Sequence, residues 1–164
     1  MATIRRTTPD DIQAIYRFNQ RLQQHLTDSN PDTWTRNPTT PQYMESVTHE
    51  TTNPDIYTLI AEQDGKLVGY MSSRIQDRGE PDPRKIGIIM NAYVEPEHRH
   101  RGIATALLTK ILNHFTKHQV EQITLRYING NKEAEQYWTN LGFKPIITVA
   151  NTTPAKLRQK LTQK

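Results

Sequence analysis

Apolar positions early in the chain keep a helical beat. Ile12, Ile15, Tyr16, Leu22 and Leu26 lie along one face with Phe18 beside them, and mostly polar residues fill the gaps. Such spacing puts one side of a helix against a core. The start is marked as well: Thr8 is an N-cap, Pro9 stands at the first helical position and Asp11 follows the cap by three. Ile4-Arg5-Arg6 ahead of it reads as a short strand, and His25 near the helix end reads as a partner for the helix dipole. Asp28 to Pro41 is rich in Pro, Asn, Asp and Thr and reads as a loop, with Trp34 in its middle as a core anchor or a pocket wall. Pro41 to His49 reads as a second helix that turns Tyr43, Met44 and Val47 inward.

The period then changes. Ile56 to Glu62 and Lys66 to Ile75 are strands joined by Gln63-Asp64-Gly65, where Asp-Gly signals a tight hairpin and so an antiparallel pair. Gln76 to Lys85, charged and broken by Gly79, Pro81 and Pro83, is a connection, and Ile86 to Val94 is a fourth strand buried on both faces. Ile103, Ala104, Leu107, Leu108, Ile111, Leu112 and Phe115 form a wide helical stripe, followed by a fifth strand from Gln122 to Ile128. Strand, helix and strand of this length predict a parallel, right-handed crossover. Asn131 to Leu141 is a fourth helix stopped by Gly142, and Phe143 to Val149 a sixth strand. Leu157 and Leu161 fit a strand and a helix equally well.

Composition narrows the class. The 164 residues suit one domain over 1–164, and with 34% hydrophobic residues no segment approaches the roughly 20 apolar positions of a membrane-crossing helix. Met1 to Arg6 lacks the apolar run of a signal peptide, so the cytoplasm is the expected location, and the absence of cysteine means no disulfide framework. The net charge of +4 raises nucleic acid as a partner. Against that, the basic residues are scattered, and the one tight cluster, Arg99 to Arg101, suits an anionic small molecule equally well.

That cluster lies in the stretch that carries chemistry. Met90 to Val94 ends a strand, Glu95-Pro96-Glu97-His98 turns, Arg99 to Ala104 is a basic loop with one glycine, and Thr105 to Leu112 begins a helix. A helix N-terminus presents unpaired amide donors and about half a positive charge, and Gly102 lets backbone approach an anion closely. Arg99-His100-Arg101-Gly102-Ile103-Ala104 resembles the Gln/Arg-x-x-Gly-x-Gly/Ala signature of the GCN5-related N-acetyltransferase family. Val94-Glu95-Pro96 stands at the family's strand-end spacing. Asn131 to Phe143 is similar to its second motif, Asn-x-x-Ala-x-x-aromatic-aromatic-x-x-Leu-Gly-Phe, so the resemblance covers essentially the whole chain.

The resemblance implies an α/β (α+β) fold with a mixed, mostly antiparallel sheet of six to seven strands, four helices, and a fourth and fifth strand that splay apart. By that analogy Lys156 to Leu161 is the seventh strand. It implies acetyl-CoA as co-substrate, with its arm along Ala92, Tyr93 and Val94. Its pyrophosphate then falls on His100, Arg101, Gly102, Ile103, Ala104 and Thr105, with Arg99 flanking and Asn131 on the arm. Without cysteine an acyl-cysteine intermediate is impossible, which makes direct transfer the simpler mechanism, and the resemblance implies a primary amine of a small molecule or peptide as the acceptor.

The catalytic positions depart from the family pattern. Relatives often carry acidic residues where this chain has Met90 and Asn91, and a tyrosine acid where it has Trp138, while Tyr137 next to it is rotated about 100° away. Asn91 and Trp138 therefore occupy the catalytic positions, and the proton of the incoming ammonium goes to a water chain or to a carboxylate from elsewhere, Glu62, Glu45 or Glu50. The departures leave open an acetyl-CoA-binding regulatory protein without turnover. His114 and His118 stand at a metal-ligand spacing with no third ligand nearby, so no metal is expected. No nucleic acid or membrane partner is expected, and a homodimer is left open.

Overall fold

Asp64 and Gly65 both adopt positive φ, 52° and 70°, and this two-residue turn sets the sheet. Such a turn matches the right-handed twist of the strands it joins. It links β2 (Ile56–Gln63) to β3 (Lys66–Asp77), and the pair is antiparallel along its length. β1 (Thr3–Arg6) pairs antiparallel with β2, β4 (Lys85–Val94) antiparallel with β3, and β5 (Gln122–Leu125) parallel with β4, in the order β1-β2-β3-β4-β5. The computed structural model describes residues 2–33, 37, 39–80 and 82–163 and forms two compact units, Met1–Asn131 and Lys132–Lys164. Trp34 and Pro81 lie outside the described residues.

In the first unit helices cover both faces of the sheet. α1 (Ile12–Ser29), entered through a 3₁₀ turn at Pro9–Asp11, and α2 (Pro41–Thr52) pack one core of Ala14, Ile15, Phe18, Tyr43, Val47, Ile60, Tyr70 and Tyr93. The Phe18 ring stacks on Tyr70 with centroids 6.0 Å apart and tilts onto Tyr93 at 5.5 Å. Thr8 and Asp11 cap the entry reciprocally, as their spacing predicts. On the crossover between β4 and β5, α3 (Ile103–Lys117) buries Ile103, Leu107, Ile111 and Phe115. Gly87 of β4 makes room for this helix: a Cβ there would lie 2.4 Å from the Phe115 ring.

The second unit holds α4 (Lys132–Asn140) and α5 (Pro154–Thr162). Gly142, at φ 90°, ends α4: its N–H donates to the Thr139 carbonyl while the Phe143 N–H reaches back to Trp138. Two expectations fail here. Phe143 to Val149 is not a strand, and Lys156 to Leu161 is helical, so the described residues give five strands and five α-helices rather than six or seven and four. Pro145 cannot donate to a ladder, and the segment that would have paired with it starts a helix instead, with Pro154 in the first turn and the Thr153 hydroxyl accepting from the Lys156 N–H. Ile146 and Ile147 are consequently 78% and 80% exposed.

Candidate active site

β4 is paired on both sides only in its first half. β5 matches it from Ile86 to Ile89 and stops, while β3 continues to Val94. The edge of β4 from Met90 to Val94 that would face β5 is therefore left out of the sheet. Glu95 N–H donates to the Val68 carbonyl, so by the two-residue alternation of an antiparallel ladder Tyr93 turns its backbone groups toward β3, and Ala92 and Val94 turn theirs into the opening. Arg99 Nε donates to the Val94 carbonyl at 3.0 Å and so ties the basic loop to the end of this edge.

The loop itself is built for an anion. His100 and Gly102 adopt positive φ, 58° and 79°, and Gly102 is the N-cap of α3 with no side chain to close the helix end. The first intrahelical bond runs from Ala106 N–H to the Gly102 carbonyl at 2.9 Å, which leaves the amides of Ile103, Ala104 and Thr105 ahead of the hydrogen-bonded ladder. The helix starts at Ile103, two residues before its expected start, and this brings those amides into its first turn. Nothing lies within 4 Å of where a Gly102 Cβ would be, and His100 and Arg101 are exposed around this open ground. An anion with several oxygens fits here.

Next to the opening stands Asn91. Its amide nitrogen donates to both carboxylate oxygens of Glu50, at 2.9 Å each. The carboxylate brought to Asn91 is thus Glu50 rather than Glu62, which sits at the hairpin end of β2 with a side chain 40% exposed, 3.7 Å from Arg5 Nε. Glu45 is exposed on α2. Glu50 is one of the three carboxylates that the sequence offers; with α2 running to Thr52 rather than ending at His49, Tyr43, Val47 and Glu50 share a face at spacings of four and three.

The remaining candidates separate. Tyr93 turns its side chain to the α1 side and donates its hydroxyl to Glu95 at 3.0 Å, and Glu95 also pairs with Arg21. Burial first, then the Glu95 partner, pushes the Tyr93 hydroxyl up to about 12, so it stays protonated at neutral pH. Asn131 is buried at the end of the first unit, with its N–H on the Ile128 carbonyl at 3.0 Å. Trp138 is buried on α4 in the second unit, edge-on to Tyr137 at 4.8 Å and to Phe143 at 5.4 Å. His114 stacks on Tyr57 at 4.0 Å and lies 4.3 Å from the His118 ring, a ring cluster in which burial, then His118, lowers the His114 pKa. No group of three or more potential metal ligands occurs among the described residues.

Residues 19–143 match the model of the acetyltransferase (GNAT) family. The chain belongs to that family. Among curated relatives, this GNAT chain is 29% identical over 85 residues to an N-acetyltransferase of Methanocaldococcus jannaschii, covering 52% of this chain and 38% of that one. It is 30% identical over 88 residues to the mycothiol acetyltransferase of Acidimicrobium ferrooxidans, covering 52% and 27%. The GNAT chain therefore spans well under half the length of these relatives. Its fold matches a mutant of the BH1408 protein of Bacillus halodurans with a TM-score of 0.81 at 18% identity, covering 92% of this chain and 99% of that one. It matches a predicted acetyltransferase of Clostridium acetobutylicum solved with acetyl-CoA at 0.68 and 20%, covering 95% and 98%. A soil metagenomic aminoglycoside acetyltransferase in complex with sisomicin matches at 0.66 and 13%, covering 93% and 96%. No helix among the described residues is long and apolar enough to cross a membrane.

Proposed function

We propose that this GNAT chain is an acetyl-CoA-dependent N-acetyltransferase, a single domain over 1–164, that moves acetyl directly to a primary amine of a small molecule or peptide. The observation that carries the proposal is the half-paired β4, with Ala92 and Val94 turning backbone groups into an opening that ends at an uncapped helix N-terminus. An amide-bearing arm with a phosphorylated end has the complementary chemistry: strand-like pairing along 92–94, then anion contacts from Ile103, Ala104, Thr105 and the basic loop. Acetyl-CoA is such a molecule and supplies an activated acyl group. The relative from Clostridium acetobutylicum solved with acetyl-CoA supports the same fit. Asn131 contributes to the arm, and Trp138, whose indole N–H donates without ionising, steadies the departing sulfur. The Ala92 or Val94 N–H polarises the thioester carbonyl. The proposal places the protein in the cytoplasm, as a monomer or homodimer, without metal or nucleic acid.

An acetyl-CoA-binding regulatory protein is the second reading. It is favoured by one observation: Met90, Asn91 and Trp138 are non-ionising side chains at the expected acid and base positions. Thiol release from acetyl-CoA across primary amines, amino acids, aminoglycosides and short peptides, with acceptor-free controls, separates the two. Release that depends on an acceptor is expected. Tight coenzyme binding with no acetylated product from any acceptor overturns the transferase and leaves the regulatory protein.

A further inference from the structure

Besides its apolar contacts, α2 is tied to the sheet at Glu50 by both backbone and side chain. The Thr58 hydroxyl donates to the Glu50 backbone carbonyl at 2.8 Å, and the Asn91 amide spans the Glu50 carboxylate. Glu50 is only 8% exposed. Asn91 is half-buried, one residue before Ala92, whose backbone faces the opening. Directly across from Asn91 on β3 is Ser72, fully buried, whose Oγ has no hydrogen-bond partner among the described residues. Two residues along that strand the Tyr70 hydroxyl, fully buried, is held well above its ordinary range by burial, then by the charge of Glu50 and by Tyr43. A carboxylate, an amide and a spare hydroxyl are thus gathered at the junction of the acyl-side opening and the α1–α2 face. Tyr70 from β3, with Glu50 and Tyr43 from α2 acting on it, is the titratable group seen beside this cluster among the described residues.

Building a buried carboxylate costs several kcal/mol and needs partners that fix its geometry. Asn91 supplies such a partner and, being neutral, leaves the negative charge in place. A carboxylate at position 91 would instead repel Glu50. Within the pair, the strand residue orients and the helix residue carries the charge.

We propose that Glu50, presented by Asn91, recognises the ammonium of the acceptor and takes its proton, so that the acceptor is a primary amine that arrives as a cation. This rests on the transferase reading. An ammonium of pKa about 10.4 is neutral in roughly 1 molecule in 2,500 at pH 7, so a proton acceptor within reach changes the rate directly. The ammonium gives one proton to the Glu50 carboxylate, and the freed lone pair forms the N–C bond to the thioester carbon. The C–S bond breaks with its electron pair on sulfur. The second proton lost by nitrogen ends on that sulfur, giving amide and thiol, and Glu50 returns the first to water. Glu50 is the catalytic residue here and Asn91 the positioning residue.

The test compares Glu50→Gln, Asn91→Asp and the double variant, in which the carboxylate sits on the strand and the amide on the helix. With the amine that turns over best, E50Q is expected to lower kcat/KM at pH 7 by about 100-fold. Calorimetric CoA affinity should stay within about twofold, because the pyrophosphate loop is untouched. The deficit should shrink to roughly fivefold or less at pH 10, and likewise with glycinamide, which is far less basic than an alkylamine. The double variant should regain at least about tenfold over E50Q, whereas N91D alone, with two facing carboxylates, should not gain. An E50Q enzyme within about threefold of the unmodified one at pH 7 overturns the assignment. So does a loss that is equal at pH 7 and 10 and is not restored in the double variant, since that marks a mere staple. If the unmodified protein binds CoA yet releases no thiol with any amine, the transferase reading itself fails, and this assignment with it.

Discussion

Arg5 grips Asp11 with two guanidinium nitrogens, at 2.7 and 2.9 Å, while the Thr8 N–H donates to the same carboxylate at 2.8 Å. The Arg5 hydrogen bonds hold Asp11 below its ordinary carboxylate range, against the opposing effect of burial. A carboxylate with a depressed folded pKa adds stability that is present above its unfolded pKa, near 3.9, and is lost as pH falls through the folded value. Asp11→Asn should therefore lower the urea midpoint at pH 7, by an amount corresponding to about 1–3 kcal/mol, and the gap from the unmodified protein should close below about pH 4. Gly102 gives a second residue-scale expectation. Its φ of 79° is strained for any side chain although space is open, so Gly102→Ala should weaken CoA binding about fivefold, or roughly 1 kcal/mol, by calorimetry. Tyr137→Phe should leave turnover nearly unchanged. A large fall in rate with intact acetyl-CoA binding would show that Tyr137 rather than Trp138 serves the leaving sulfur.

Where α3 crosses β4, the helix leaves no room for a side chain at Gly87. A Cβ at Gly87 would have to displace the Phe115 ring, which is fully buried, so Gly87→Ala should destabilise the fold by about 1–3 kcal/mol in denaturant unfolding. Combining it with Phe115→Leu should cost less than the sum, because the smaller side chain vacates the contested volume. The same scale shows what the sequence could tell. α1, the β2–β3 hairpin and the β4–α3 loop announce themselves through caps, Asp64-Gly65 and Gly102, all signals that act within a few residues. Phe143 to Val149 alternates like a strand, but a strand exists only with a partner, and that depends on what Lys156 to Leu161 does. There Thr153 and Pro154 cap a helix that the two leucines alone could not distinguish from a strand. Asn91 and Glu50 lie 41 residues apart in the chain, and only the packing of α2 on the sheet brings them together.

At the scale of the whole molecule, β4 is paired with β5 only as far as Ile89, and the rest of that edge lies outside the ladder. Donors and acceptors along Met90 to Val94 are a template for any extended chain, including another copy unfolding nearby. A ligand that occupies this edge adds its binding free energy to folding: at a hundred times its Kd, about 2.7 kcal/mol. For a chain of this size that corresponds to a melting temperature higher by roughly 5–10 °C. Differential scanning fluorimetry with and without CoA measures it, and light scattering on the same ramp should show later onset of aggregation with CoA. Backbone amides of Ala92 and Val94 should gain the largest protection from hydrogen exchange, with Tyr93, already turned to β3, changing less. If the chain binds acetyl-CoA as proposed, the supply of that ligand sets how long the folded protein lasts, and its depletion is expected to lower abundance before any change in synthesis.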